Sequence, residues 1–154
     1  MQMRTPTRCR CAEEFQVQAA KSTEYSRVKT LLNRGKHPAF IGRQTVMTAT
    51  RNGGAFVFSF GGEDVATAIV NPALNCLTVL NVAPSHRSHG LGAAILCYLQ
   101  CNFARVLESA VPFFERNGYV SRGKLKLGNR LKTQVMVKSS LLTLAGRVAA
   151  IYRV

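Results

Sequence analysis

"NVAPSHRSHGLGAAIL", residues 81–96, runs from an apolar stretch through a proline and a polar segment to Gly90 and Gly92, then into a helical pattern. A glycine inside a helix costs about 1 kcal/mol relative to alanine, so two at its start need a reason. A strand that ends near Val82 and turns through glycines into a helix aims consecutive free N–H groups, and the positive end of the helix, at one point. Such a point binds phosphate. Glycine serves this use because a β-carbon would hold an anion away from the backbone. Arg87 adds a fixed positive charge and Ser88 a hydroxyl donor. The alternative is a tight strand-to-helix turn with no ligand.

Around this stretch the chain reads as alternating elements. "EEFQVQAA" predicts a short first strand, and "STEYSRVKTLLNRG" a helix with Ser22 as N-cap and Gly35 as its stop. Tyr25, Val28, Leu31 and Leu32 form its apolar stripe. "KHPAFIGRQ" reads as a loop, "TVMTAT" as a strand and "RNGG" as a turn. "AFVFSF", "GGED" and "VATAIV" make a hairpin, since β-branched and aromatic runs flank a glycine turn. "NCLTVLNVAP" is a strand leading into the glycine loop. Residues 90–103 follow as a helix that is apolar nearly all round and therefore buried. "ARVLES" predicts a strand, "AVPFFERNG" a short helix closed by Gly118, and "YVSRGKLKLG" with "TQVMVKS" a final strand pair. Residues 139–154 predict an extra C-terminal helix, and residues 1–13 a flexible basic N-terminus. The order predicts an α+β, or mixed α/β, class.

The 154 residues, 47% of them hydrophobic, suffice for one domain with a substantial core. The charge is extreme, with 21 Lys plus Arg against 7 Asp plus Glu and a formal net of +14. It is also uneven. No acid follows Glu115, whereas Arg116, Arg122, Lys124, Lys126, Arg130, Lys132, Lys138, Arg147 and Arg153 do. Such a surface attracts anions: nucleic acid, an acidic protein or a phosphorylated cofactor. Five cysteines without a regular framework argue against a secreted disulfide scaffold. Cys9 and Cys11 have no second ligand pair at zinc spacing, so no metal is expected. Cys97 and Cys101 share a helical face and read as small core residues. No apolar run spans a bilayer and no leader pattern opens the chain, so the expectation is a cytoplasmic protein without a membrane partner.

The loop lacks the GK[ST] ending of a P-loop, and G-x-G-x-x-G is absent. Val82-x-Pro84-x-x-Arg87-x-x-Gly90-x-Gly92, after an apolar strand and before a helix, instead resembles motif A of the Gcn5-related N-acetyltransferases, the GNAT family. "AVPFFERNGYV", residues 110–120, is similar to the family's later motif, and the element order is similar over roughly residues 14–138. The resemblance implies a mostly antiparallel sheet whose fourth and fifth strands splay apart, flanked by helices. It implies acetyl-CoA as cofactor and direct transfer of the acetyl group to an amine. Leu80, Asn81 and Val82 would then offer backbone groups to the pantetheine arm. Arg87, Ser88, His89, Gly90, Leu91 and Gly92 would wrap the pyrophosphate.

The catalytic positions depart from the family. Phe114 stands at the usual tyrosine acid, and Cys76 at the usual glutamate base. Tyr119, Cys76 and Glu108 are the leading stand-ins, with Tyr98 and His86 behind them. Each has a plainer reading: Cys76 as a small buried residue, Glu108 as a surface ion-pair partner, His86 and His89 as phosphate donors. Glu63 and Asp64 decorate the hairpin turn, and His37 lies in the loop that shapes the acceptor side.

Lys124, Lys126, Arg130 and Lys132 exceed what CoA requires and predict binding to nucleic acid. The acceptor amine is accordingly expected on an aminoacyl-tRNA or an amino-modified DNA base. The alternatives are a protein or small-molecule amine, whose pocket would offer acids to hold a cation, and a GNAT-like module that binds nucleic acid without catalysis. The tail after Lys138 is open to packing on the sheet, to homodimer formation or to phosphate contact.

Overall fold

A computed structural model describes residues 16–19, 24–35, 41–87, 90–127 and 131–141. In chain order the elements are β1 (Gln16–Ala19), α1 (Tyr25–Arg34), α2 (Arg43–Arg51), β2 (Ala55–Phe60), β3 (Glu63–Asn71) and β4 (Cys76–Val82). They continue with α3 (Leu91–Leu99), β5 (Phe103–Leu107), α4 (Val111–Arg116), β6 (Tyr119–Leu127) and β7 (Leu131–Lys138). Short 3-10 turns cover Pro84–His86 and Glu108–Ala110.

All seven strands join one sheet in the order β1-β2-β3-β4-β5-β7-β6. Every neighbouring pair is antiparallel except β4 and β5, which run parallel. Their ladder pairs Cys76 with Phe103 and Leu77 with Ala104, then ends. Each strand keeps its outer partner. β4 stays on β3 up to Val82↔Ala66, and β5 stays on β7 up to Leu107↔Thr133. Two strands anchored on their outer edges and unpaired between them leave a wedge in the sheet. This is the mixed α+β class that the element order predicts, with the mostly antiparallel sheet and splayed fourth and fifth strands that the family resemblance implies.

A bulge prepares the splay. Ile69 pairs with Val79 and Val70 with Leu77, so Thr78 is an extra residue on β4. Thr78 Oγ1 donates to the Ile69 carbonyl at 3.1 Å. An extra residue reverses which side chains face which side of the sheet. Leu77 accordingly joins the core beneath α3 and α4, Val79 joins the core beneath α1 and α2, and Leu80 and Val82 return to the first face.

The two faces hold separate cores. Phe58, Leu77, Leu91, Ile95, Val106, Phe114 and Met136 are buried on one; Val28, Leu31, Val46, Val57, Ile69 and Val79 on the other. Burying a side chain of this size contributes about 1.5–3 kcal/mol.

Three local expectations change. "TVMTAT" belongs to helix α2, not to a strand. Its β-branched residues favour a strand locally, yet Val46, Ala49 and Thr50 are buried at helical spacing against the second core. Tertiary burial overrides propensity there. The residue flanking the start of α1 is Glu24, and Ser22 lies outside the described residues. Gly35 does end α1, but with φ −75°, a conformation open to any residue. Its need for glycine has a different cause, given below. Residues 1–13 lie outside the described residues, as does the expected C-terminal helix beyond the helical residues 139–141. Among the described residues no helix is long and apolar enough to cross a membrane.

Candidate functional site

The wedge between β4 and β5 opens into a cleft of about 1130 Å³. Leu77 to Val82 form one wall and Arg105 to Leu107 the other, with Gly90 to Ala93 of the α3 start at the mouth. Ile41 and Thr45 border it from the α1–α2 side, and Ser109, Phe113 and Arg116 from the α4 side.

Gly90 adopts φ +77° at the N-cap of α3, in the left-handed region that favours glycine. A β-carbon there would meet nothing within 4 Å, so the position faces open space. The first helical bond of α3 runs from the Ala94 N–H to the Gly90 carbonyl at 3.1 Å, and no side chain among the described residues caps the helix. The N–H groups of Leu91, Gly92 and Ala93 therefore have no partner within the helix and border the cleft. Gly92 answers to sterics: a β-carbon would stand 3.0 Å from Phe113 Cζ. The opening pair of glycines thus has two separate causes, backbone conformation at Gly90 and close packing at Gly92.

Arg87 lines the cleft, and its guanidinium holds the loop in place. Nε donates to the Val82 carbonyl at 3.0 Å and Nη2 to the Gly35 carbonyl at 2.7 Å. Leu80, Asn81 and Val82 line the wall, and the Asn81 side chain is buried, its Nδ2 donating to the Leu31 carbonyl at 2.9 Å. Ser88 and His89 lie outside the described residues.

The leading stand-ins do not gather in the cleft. Tyr119 is buried in the core, its hydroxyl donating to the Cys101 carbonyl at 2.7 Å. Burial, then the neighbouring thiols of Cys101 and Cys76, push its hydroxyl up to about 12. Cys76 sits where β4 and β5 still pair, below the wedge, and burial raises its thiol against the lowering influence of Arg105. Glu108 is exposed on the turn after β5 and is not part of the cleft wall. Tyr98 packs edge-on against Phe58, ring centroids 6.0 Å apart. Of the catalytic stand-ins among the described residues, His86 alone borders the cleft, while His37 and His89 lie outside the described residues.

Arg105, Ser109 and Thr45 also line the cleft without a sequence-based expectation, and Arg116, named from sequence only within the basic run, lines it too. The alternation in "FARVL" carried the signal for Arg105: Ala104 and Val106 are buried while Arg105 is exposed. Among the described residues no carboxylate lines the cleft. Asp64 and Glu24 bind Arg27, Glu63 stands 3.9 Å from Arg34, and Glu108 and Glu115 are exposed elsewhere. Arg27 holds the Asp64 carboxyl below its ordinary range, with help from Ser59.

The β6–β7 hairpin carries the basic run. Lys124 is in register with Gln134, and Lys126 with Lys132. Because Leu107 ends β5 opposite Thr133, this part of the hairpin continues past β5, at the end of the sheet where α3 begins. Arg130 lies outside the described residues.

Many solved structures share this arrangement of strands and helices. The fold is that of the GNAT acetyltransferases. Arabidopsis thaliana Naa50, solved with the bisubstrate analogue CoA-Ac-MVNAL, is similar with TM-score 0.65 and 13% identity, covering 82% of this chain and 99% of that one. The ribosomal-protein-S18-alanine N-acetyltransferase from Escherichia coli gives 0.64 and 17%, covering 79% and 91%. Diaminobutyrate acetyltransferase EctA from Paenibacillus lautus, solved with L-2,4-diaminobutyric acid and coenzyme A, gives 0.60 and 16%, covering 82% and 96%. No protein-family profile and no curated protein sequence matches this GNAT-fold chain.

Proposed function

We infer that the protein is an acetyl-CoA-dependent N-acetyltransferase whose acceptor amine is carried on nucleic acid. One observation carries the first part: an uncapped helix start, with Gly90 in the left-handed region facing open space, at the mouth of a cleft between parallel strands. Free N–H groups with the positive end of a nine-residue helix suit a pyrophosphate. In this reading Leu91, Gly92 and Ala93 present N–H groups to the phosphates and Arg87 adds charge, with Ser88, His89 and Gly90 completing the loop. Leu80, Asn81 and Val82 offer backbone groups to the pantetheine arm along the unpaired edge of β4. Acetyl-CoA supplies an activated thioester carbonyl. The protein's part is to hold that carbonyl beside an amine and to take up the amine's proton.

Three features favour an anionic carrier of the amine. The described cleft has arginines at positions 87, 105 and 116 and no carboxylate, the basic hairpin stands at its mouth end, and the formal net charge is +14. A protein or small-molecule amine is the second reading, favoured by the ribosomal-protein-S18-alanine N-acetyltransferase and the diaminobutyrate acetyltransferase among the solved structures of this fold. The lack of a carboxylate among the described residues lining the cleft weighs against it. Five cysteines without a disulfide framework support a cytoplasmic setting.

Calorimetry with acetyl-CoA tests the reading. Micromolar binding by the wild type, lost in Gly90→Glu while circular dichroism stays unchanged, is the expected result. A folded wild type that binds no acetyl-CoA overturns it and returns Gly90 and Gly92 to the role of a tight turn.

A further inference from the structure

Transfer to an amine requires a proton acceptor, because an ammonium nitrogen has no free electron pair. Among the described residues lining the cleft there is no Asp, Glu, Tyr, Cys or Lys. The guanidinium group is in general no proton acceptor in water, which removes the arginines of the cleft from the candidates. His86 is left, and histidine is the side chain whose ordinary titration falls near neutrality.

His86 is held through both its backbone and its ring. It closes the 3-10 turn Pro84–His86, its N–H donating to the Ala83 carbonyl at 2.9 Å. Phe60, at the end of β2, meets the imidazole with centroids 6.4 Å apart and planes 66° apart. Ser85 Oγ lies 2.8 Å from Nδ1. Nε2 has no hydrogen-bond partner among the described residues. A neutral imidazole whose Nδ1–H donates to Ser85 Oγ keeps its lone pair on Nε2. The nearby charges are engaged: Arg87 with the Val82 and Gly35 carbonyls, Asp64 with Arg27, and Glu63 facing Arg34.

We propose that His86 accepts the proton of the acceptor amine through Nε2, and that Ser85 positions its ring; this rests on the acetyl-transfer reading above. The ammonium group gives one proton to Nε2, and the electron pair so freed forms the bond to the thioester carbonyl carbon. The carbon–sulfur bond breaks with its pair on sulfur. The second proton lost by nitrogen balances the one that the departing thiolate takes up, and Nε2 releases its proton to solvent.

The test compares wild type, His86→Gln and Ser85→Ala. It follows labelled acetyl transfer to bulk aminoacyl-tRNA and to total cell protein, acetyl-CoA affinity by calorimetry, and the imidazole ¹⁵N resonances. His86→Gln should lower kcat about 100-fold near neutral pH, within the range for a lost general base, while acetyl-CoA affinity is unchanged. Hydroxylamine, an amine already neutral at that pH, should be acetylated by wild type and variant at similar rates. Ser85→Ala should lower kcat without raising KM and move the ¹⁵N resonances toward the other tautomer. An equally active His86→Gln beside an active wild type overturns this inference alone, as does a loss matched by lost acetyl-CoA affinity. A wild type that neither binds acetyl-CoA nor transfers acetyl groups overturns the acetyl-transfer reading, and the role of His86 with it.

Discussion

Asn81 occupies the space that a side chain on Gly35 would need. A β-carbon at Gly35 would lie 2.0 Å from Asn81 Nδ2, the atom that donates to the Leu31 carbonyl at 2.9 Å. The wall of the cleft is thereby locked to the end of α1, and Arg87 adds a second tie from the loop to the Gly35 carbonyl.

Gly35→Ala should therefore destabilise the protein by about 1–3 kcal/mol, the usual cost of forcing atoms into a filled site. Its backbone conformation suits alanine, so the loss comes from the collision alone. Urea denaturation checks this. In a double-mutant cycle, Asn81→Ala should make Gly35→Ala nearly harmless. Additive losses would show that the two positions do not share this space.

Asp64 accepts two bonds from Arg27, Nη2 to Oδ1 at 2.7 Å and Nε to Oδ2 at 2.5 Å, with both side chains partly exposed. Its folded-state pKa lies below the unfolded value, so the pair stabilises the fold above about pH 4, near the unfolded carboxyl, and stops doing so as pH falls through the folded value. Asp64→Asn should cost about 1 kcal/mol near neutral pH. The gap to wild type should close as the solution is acidified below about pH 4. Denaturation midpoints across pH measure it, and a gap that widens in acid would contradict the assignment.

Tyr119→Phe removes the bond to the Cys101 carbonyl from a buried site. Stability should fall by about 1 kcal/mol, while the rate of acetyl transfer and its pH dependence stay as in wild type. A large fall in kcat without loss of stability would instead give this hydroxyl a chemical role.

Lys124→Gln, Lys126→Gln, Arg130→Gln and Lys132→Gln together test the nucleic-acid reading. If all four neutralise phosphates, the slope of log K against log salt for bulk tRNA should become shallower by about 3. Acetyl-CoA affinity should not change. A variant that binds tRNA as wild type does, with the same salt slope, removes the support for a nucleic-acid acceptor.

The loop was readable because its signals are local. A strand end, Pro84, Arg87 and Gly90 lie within a few residues of one another, and the left-handed φ at Gly90 needs its glycine whatever surrounds it. The hairpin of β2 and β3 and the short helix closed by Gly118 declared themselves in the same way. Helix α2 did not, because Thr45, Val46, Thr48 and Thr50 favour a strand until the second core selects the helical spacing of Val46, Ala49 and Thr50. In the sequence Gly35 reads as a helix stop, and nothing in its neighbourhood points 46 residues ahead to Asn81.

By itself the sequence determined the charge, the run of elements that have strong local patterns, and a glycine-bearing loop between a strand and a helix. Those properties depend on residues close along the chain. Only the tertiary structure decided that β4 carries its extra residue at Thr78, that β4 and β5 part after two paired positions, and that Arg105 and His86 border the resulting cleft while Tyr119 turns into the core. Register, packing and enclosure are set by residues far apart in the chain, and their energies exist only once the strands and helices meet.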